Sequence, residues 1–353
     1  MLTERNQAII DAVIEKAERR FPGTLALIGV YGSFLTGDIH EKSDLDLMIV
    51  INDDCGWQLG CTFIQDDLNV GHDIYCTSWS SLENDAEYTH PHISKLMDSR
   101  IVYCADEKHL LHLNALRAAA RKKLDAPLSE SDIANARSQL SEAEHAFACA
   151  LITQNLSDMR NHAGNMVYYL ENAVALLSKC YFRFGTRRIY DELRSMSRCP
   201  KDFCGLIDAV VSAETKLALR EALTALMTAA QEMFASAEND VKSVSERNMD
   251  IAGTYEEMFS NWRNKMHLAA ELNDRHLAFM CMGSLQAMLD DIYAEHDIAR
   301  YDVFVGYDPA DLAAAAAAFD RILGEYLSEY KKAGIAVKHY PDIYEFVRGY
   351  GNE

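Results

Sequence analysis

Leu25-Ala26-Leu27-Ile28-Gly29-Val30-Tyr31-Gly32-Ser33, followed ten residues later by Asp44-Leu45-Asp46-Leu47-Met48-Ile49-Val50-Ile51, is the stretch on which the reading of this chain turns. The two apolar runs read as strands, and the second has two aspartates at its start. Side chains alternate along an extended chain, so Asp44 and Asp46 share one face while Leu45 points into the core. Two carboxylates one pleat apart repel at neutral pH. A divalent cation relieves that repulsion, and hard oxygen ligands suit magnesium. Gly32 allows close approach of backbone to a ligand, and Ser33 offers an N–H and a hydroxyl to phosphate oxygens.

The Gly-Ser, the ten-residue spacer and the Asp-x-Asp together resemble the nucleotidyltransferase superfamily that includes DNA polymerase beta and the antibiotic nucleotidyltransferases. The resemblance covers roughly the first 120 residues. It implies a third carboxylate on a neighbouring strand, and Asn69-Val70-Gly71-His72-Asp73-Ile74-Tyr75-Cys76 supplies Asp73 there. It further implies two magnesium ions held by Asp44, Asp46 and Asp73, ATP or another NTP as co-substrate, and in-line attack by an acceptor hydroxyl on the α-phosphorus. Asp73 is the leading ligand or general base, ahead of Glu83 and Glu87. Lys42 and Ser43 read as a solvated loop.

Composition narrows the partners. The chain has 353 residues, 49% hydrophobic and 25% charged, enough for two soluble domains. Its net charge is −20. Residues 1–124 hold 12 Lys/Arg against 19 Asp/Glu, and the remainder 22 against 35. Neither part has the basic track that phosphate backbones require, so nucleic acid is excluded as a partner. A cationic small substrate is attracted instead. No apolar run is long enough to span a membrane, and Met1-Leu2-Thr3-Glu4-Arg5 begins no signal peptide. Nine cysteines without regular spacing read as reduced thiols in a cytoplasmic protein.

The fold expected is an α/β nucleotidyltransferase domain over 1–125, a small mixed sheet with helices on one face, followed by an all-α substrate-binding domain over 126–353. A helix over 3–20 ends at Phe21-Pro22-Gly23, Asn52-Asp53-Asp54-Cys55-Gly56 is a turn, and Arg100-Ile101-Val102-Tyr103 is a short edge strand. After Pro127, Ser129-Glu130-Ser131-Asp132 starts a helix. Apolar residues then recur at threes and fours through 133–152, 159–184, 206–234, 255–271, 277–294 and 309–332. His90-Pro91-His92 and His109-x-x-His112 lack the accompanying ligands of a zinc site. Trp262-Arg263-Asn264-x-x-His267 reads as a packed helix.

The two-part build is similar to the aminoglycoside nucleotidyltransferases. Asp158-Met159-Arg160-Asn161 and, further on, Phe184-Gly185-Thr186-Arg187-Arg188 look like the streptomycin/spectinomycin adenylyltransferase arrangement. That likeness implies Asp158 as a substrate contact and Arg187 or Arg188 as a phosphate contact, although lysine is the usual residue at the latter place. The function implied is transfer of a nucleoside monophosphate, AMP from ATP, to a hydroxyl of a small cationic acceptor such as an aminoglycoside. The alternatives are adenylylation of a partner protein and a retired nucleotide-binding module.

Overall fold

A computed structural model describes residues 4–38, 43–242, 251–296 and 298–350. Lys42 lies outside them. The chain divides into two compact units, Met1–Val241 and Lys242–Glu353.

The first unit begins with α1 (Glu4–Arg20), β1 (Leu25–Val30), the one-turn α2 (Ser33–Thr36) and β2 (Leu47–Ile51). A hairpin of β3 (Cys61–Gln65) and β4 (Val70–Ile74) follows, then β5 (Cys76–Ser78), α3 (Trp79–Ala86), α4 (Ser94–Asp98), β6 (Arg100–Cys104) and α5 (Glu107–Asp125). The strands form a mixed sheet in the order β5-β2-β1-β6, with β3 and β4 apart in a two-stranded sheet. β1 runs antiparallel to β2 and β6, and β2 parallel to β5.

Every residue of β1 and β2 is buried. Such unbroken apolar runs belong to strands covered on both faces. One face packs Ile28, Leu47 and Ile49 against Ile10, Val13 and Ala17 of α1. The other packs Leu27, Met48 and Val50 with Leu82, Leu96 and Leu113 from α3, α4 and α5. The expectation of helices on one face is therefore corrected to both.

Beyond Pro127 the unit is helical: α6 (Glu130–Ile152), α7 (Leu156–Leu177), α8 (Ile189–Ser195), α9 (Phe203–Ser212) and α10 (Lys216–Lys242). The start of α6 is a capping box, Ser129 and Asp132 each satisfying the other's backbone N–H. One continuous core runs from Ala26 through Leu113 and Leu170 to Ala237. The expected boundary at 125/126 falls inside this core, between α5 and α6. Tyr88 shows the join, its buried hydroxyl donating to the carbonyls of Ala175 (3.3 Å) and Cys180 (2.6 Å).

The second unit comprises α11 (Thr254–Met258), α12 (Asn264–Leu272), α13 (Arg275–Glu295), α14 (Leu312–Lys332) and α15 (Ile343–Tyr350), with a π-helical turn over Phe259–Arg263. Met266, Met282, Leu285, Phe319, Tyr326 and Tyr330 fill its core. Arg263 and His267 both fasten on Asp320 of α14, at 2.9 Å each. No helix of the described residues is long and apolar enough to cross a membrane.

Candidate active site

The Gly-Ser turn is built around one missing side chain. The Tyr31 N–H donates to the Asp46 carbonyl at 3.1 Å, carrying the β1–β2 ladder one step past Val30↔Leu47. Gly32 then adopts φ +66° and ψ −147°, a conformation that side chains oppose. Its carbonyl accepts from the N–H groups of Leu35 (3.0 Å) and Thr36 (3.3 Å), which closes α2. A Cβ on Gly32 would lie 1.9 Å from Asp46 Oδ2. The carboxylate thus occupies the space a side chain would need, and it accepts a hydrogen bond from the Ser33 N–H.

The aspartates keep the expected alternation although β2 proper starts at Leu47. Asp44 is exposed, Leu45 buried and Asp46 half-buried. Burial and then the charge of Asp44 push the Asp46 carboxyl above its ordinary range, while the Ser33 amide pulls the other way. The phenol of Tyr31 is pushed up by burial, by the Tyr75 hydroxyl that hydrogen-bonds it, and by both aspartates. Neither Tyr31 nor Tyr75 stood out in the sequence. Ser43 is buried rather than a solvated loop residue, and its carbonyl accepts from Arg5 Nη2 at 2.8 Å.

Asp73 lies on β4, exposed and paired with Thr62 across the hairpin. The strand beside β2 is instead β5, through Ile49↔Cys76, Val50↔Thr77 and Ile51↔Ser78. Asp73 is not among the groups acting on the Asp46 carboxyl. Among the described residues, no group of three or more His, Cys, Asp or Glu is arranged to hold a metal.

The helical part of the same unit reaches the turn through Asp38. Its carboxylate accepts from the Thr36 hydroxyl at 2.8 Å and from Arg188 Nη1 at 3.3 Å. These bonds, with the charges of Arg188 and Arg187, hold it below the usual carboxylate range. Arg188 also lies over the Phe184 ring, 3.9 Å from its centroid. Asp158 is exposed in the first turn of α7, where its N–H donates to the Asn155 cap at 2.7 Å.

Other singled-out residues have structural partners. Glu83 pairs with His112 at 3.5 Å, and Glu87 pairs with Lys123. His90 meets buried Asp85 at 3.3 Å, and His92 joins Asn172 of α7 at 2.9 Å. Glu171 differs. Burial lifts its carboxyl to about 7, beside Tyr190 and Cys204.

Residues 10–95, which include the Gly-Ser turn and the Asp-x-Asp pair, match the family model described as a nucleotidyltransferase domain. Among solved structures, the chain is similar to a nucleotidyltransferase-like protein from Exiguobacterium sibiricum 255-15, at 14% identity over 81% of this chain and 90% of that one. The TM-score is 0.39, a level that adds nothing to the fold argument. No curated protein matches.

Proposed function

We propose that this chain moves a nucleoside monophosphate, AMP from ATP in the leading case, to a hydroxyl of a small cationic acceptor of aminocyclitol or aminoglycoside type. The observation that carries the reading is the seating of Asp46 in the hollow left by Gly32, with Asp44 beside it. The pair fits a hard dication, since Asp46 is already strained toward its neutral form by burial and by its neighbour's charge. Asp44 and Asp46 would hold magnesium, and the bound ion would supply positive charge against the triphosphate.

The chain's own groups do the rest. Ser33 presents its hydroxyl to phosphate oxygen, and Arg187 and Arg188 offer charge-assisted hydrogen bonds to the same triphosphate. Asp73 takes the proton from the acceptor hydroxyl as its oxygen bonds to the α-phosphorus and the bond to pyrophosphate breaks. The helical part orients the acceptor, with Asp158 meeting an ammonium group. An overall charge of −20 favours a cationic acceptor.

Exposed Phe63, Ile64 and Tyr75 in the hairpin region favour a second reading, in which the acceptor hydroxyl belongs to a protein. One experiment separates the two. Magnesium and ATP are incubated with the chain and a panel of aminoglycosides, and pyrophosphate and AMP-bearing products are measured. AMP on a panel compound supports the small acceptor. An inert panel with AMP on a partner protein supports the second reading. No transfer from any of the four NTPs to either class contradicts both.

A further inference from the structure

α1 and the β3–β4 hairpin enclose an open trough of 430 Å³, a volume within the usual range for small-molecule sites. Its walls are apolar: Ala8, Ala12 and Val13 on α1, Phe63 and Ile74 on the hairpin. Arg5, Lys16 and Gln65 also line it. The two cations stand eleven residues apart on α1, about 16 Å and three turns, and so on one face. Both are half-buried, with their stems along the trough.

Among the described residues, neither cation forms an ion pair with a carboxylate. Arg5 donates from Nη2 to the Ser43 carbonyl at 2.8 Å and from Nε to Asn6 Oδ1 at 3.2 Å, and Lys16 donates to the Gln58 carbonyl. Two cations whose partners are neutral oxygens thus flank one apolar channel. An apolar ligand without charge would leave them unanswered, and a cationic one would be repelled by both.

We infer that the trough binds a linear aliphatic carboxylate, its chain along α1 and its head group on Arg5. The guanidinium has N–H groups to spare beyond its bonds to Ser43 and Asn6, and its planar fork matches the two oxygens of a carboxylate. Lys16 adds attraction along the chain axis. Binding there does not depend on the proposed reaction.

Titration calorimetry of the full chain with dodecanoate, below its micellar concentration, tests this. The expected result is one saturable site per chain. Arg5→Gln weakens it about tenfold, and Ala12→Trp, which fills the trough from an exposed helix position, removes it without lowering the melting temperature. Dodecyltrimethylammonium, of the same chain length and opposite charge, does not compete. Absence of saturable binding, wild-type affinity in both variants, or equal binding of the cation overturns the inference.

Discussion

The hollow beside Gly32 is filled by another residue's carboxylate, so the turn and the acid pair stand or fall together. Gly32→Ala places a methyl carbon on Asp46 Oδ2 and strains a positive φ. The expected cost is about 1–3 kcal/mol of stability, read by denaturant titration, with nucleotide turnover lost because Asp46 must move. Asp44→Asn acts in the opposite sense on stability. It removes the charge that presses on Asp46, so the melting temperature without metal holds or rises while metal-dependent turnover disappears. Glu171 gives a pH test. Its carboxyl titrates near 7 in the fold against 4.5 ordinarily, so the stability it adds is fully present below 4.5 and lost as pH climbs through about 7. Glu171→Gln should therefore gain on the order of 1–3 kcal/mol relative to wild type between pH 5 and pH 8, measured by denaturation at both values. Equal differences at the two values would contradict the assignment. At this scale the sequence was most legible where period two applied. Asp44, Leu45 and Asp46 alternate as read, whereas the roles of Tyr31, Asp38 and Glu171 depend in part on Tyr75, Arg188 and Cys204, which are distant in the chain.

Elements were legible in proportion to their length and their caps. The helices over 133–152, 277–294 and 309–332 are close to α6, α13 and α14, because apolar spacing and side-chain caps at Ser129, Asp274 and Asp311 agree. The expected helix over 159–184 stops at Leu177, and Lys179 follows at φ +55°. The hairpin is the instructive miss. β3 is largely exposed and shows no alternation, so nothing in its pattern marks it as a strand, although Asn69 at φ +50° sits at the turn that folds β4 back on it. Pairing with β3 is what takes β4, and Asp73 with it, out of the sheet edge that β5 occupies. The short 3₁₀ segment Thr186–Arg188 brings Arg188 to Asp38, from 150 residues away. Arg188→Gln is expected to raise KM for the nucleotide about tenfold with a smaller change in kcat, the signature of lost ground-state binding. Unchanged KM would remove Arg188 from the phosphate site.

For the whole molecule, apolar periodicity disclosed the change from sheet to helices near 125 but not which helices share a core with the sheet, since that depends on packing between distant segments. The continuous core of the first unit makes residues 1–241 the smallest piece expected to fold with its site intact. Residues 1–125 alone would expose the surface that Leu170, Ala175 and Phe182 cover. Circular dichroism melts of the two fragments check this, with a cooperative transition expected only for 1–241. The acidic charge carries its own expectation, that tRNA and DNA bind negligibly at physiological salt, and salt-sensitive sub-micromolar binding in a filter assay would reverse it. The most direct test of the account is calorimetric titration of a non-hydrolysable ATP analogue, with and without magnesium, into the wild-type chain and Asp46→Asn. The expected result is one saturable, magnesium-dependent site that the substitution abolishes. Binding that ignores magnesium, or survives the loss of the Asp46 charge unchanged, would contradict it.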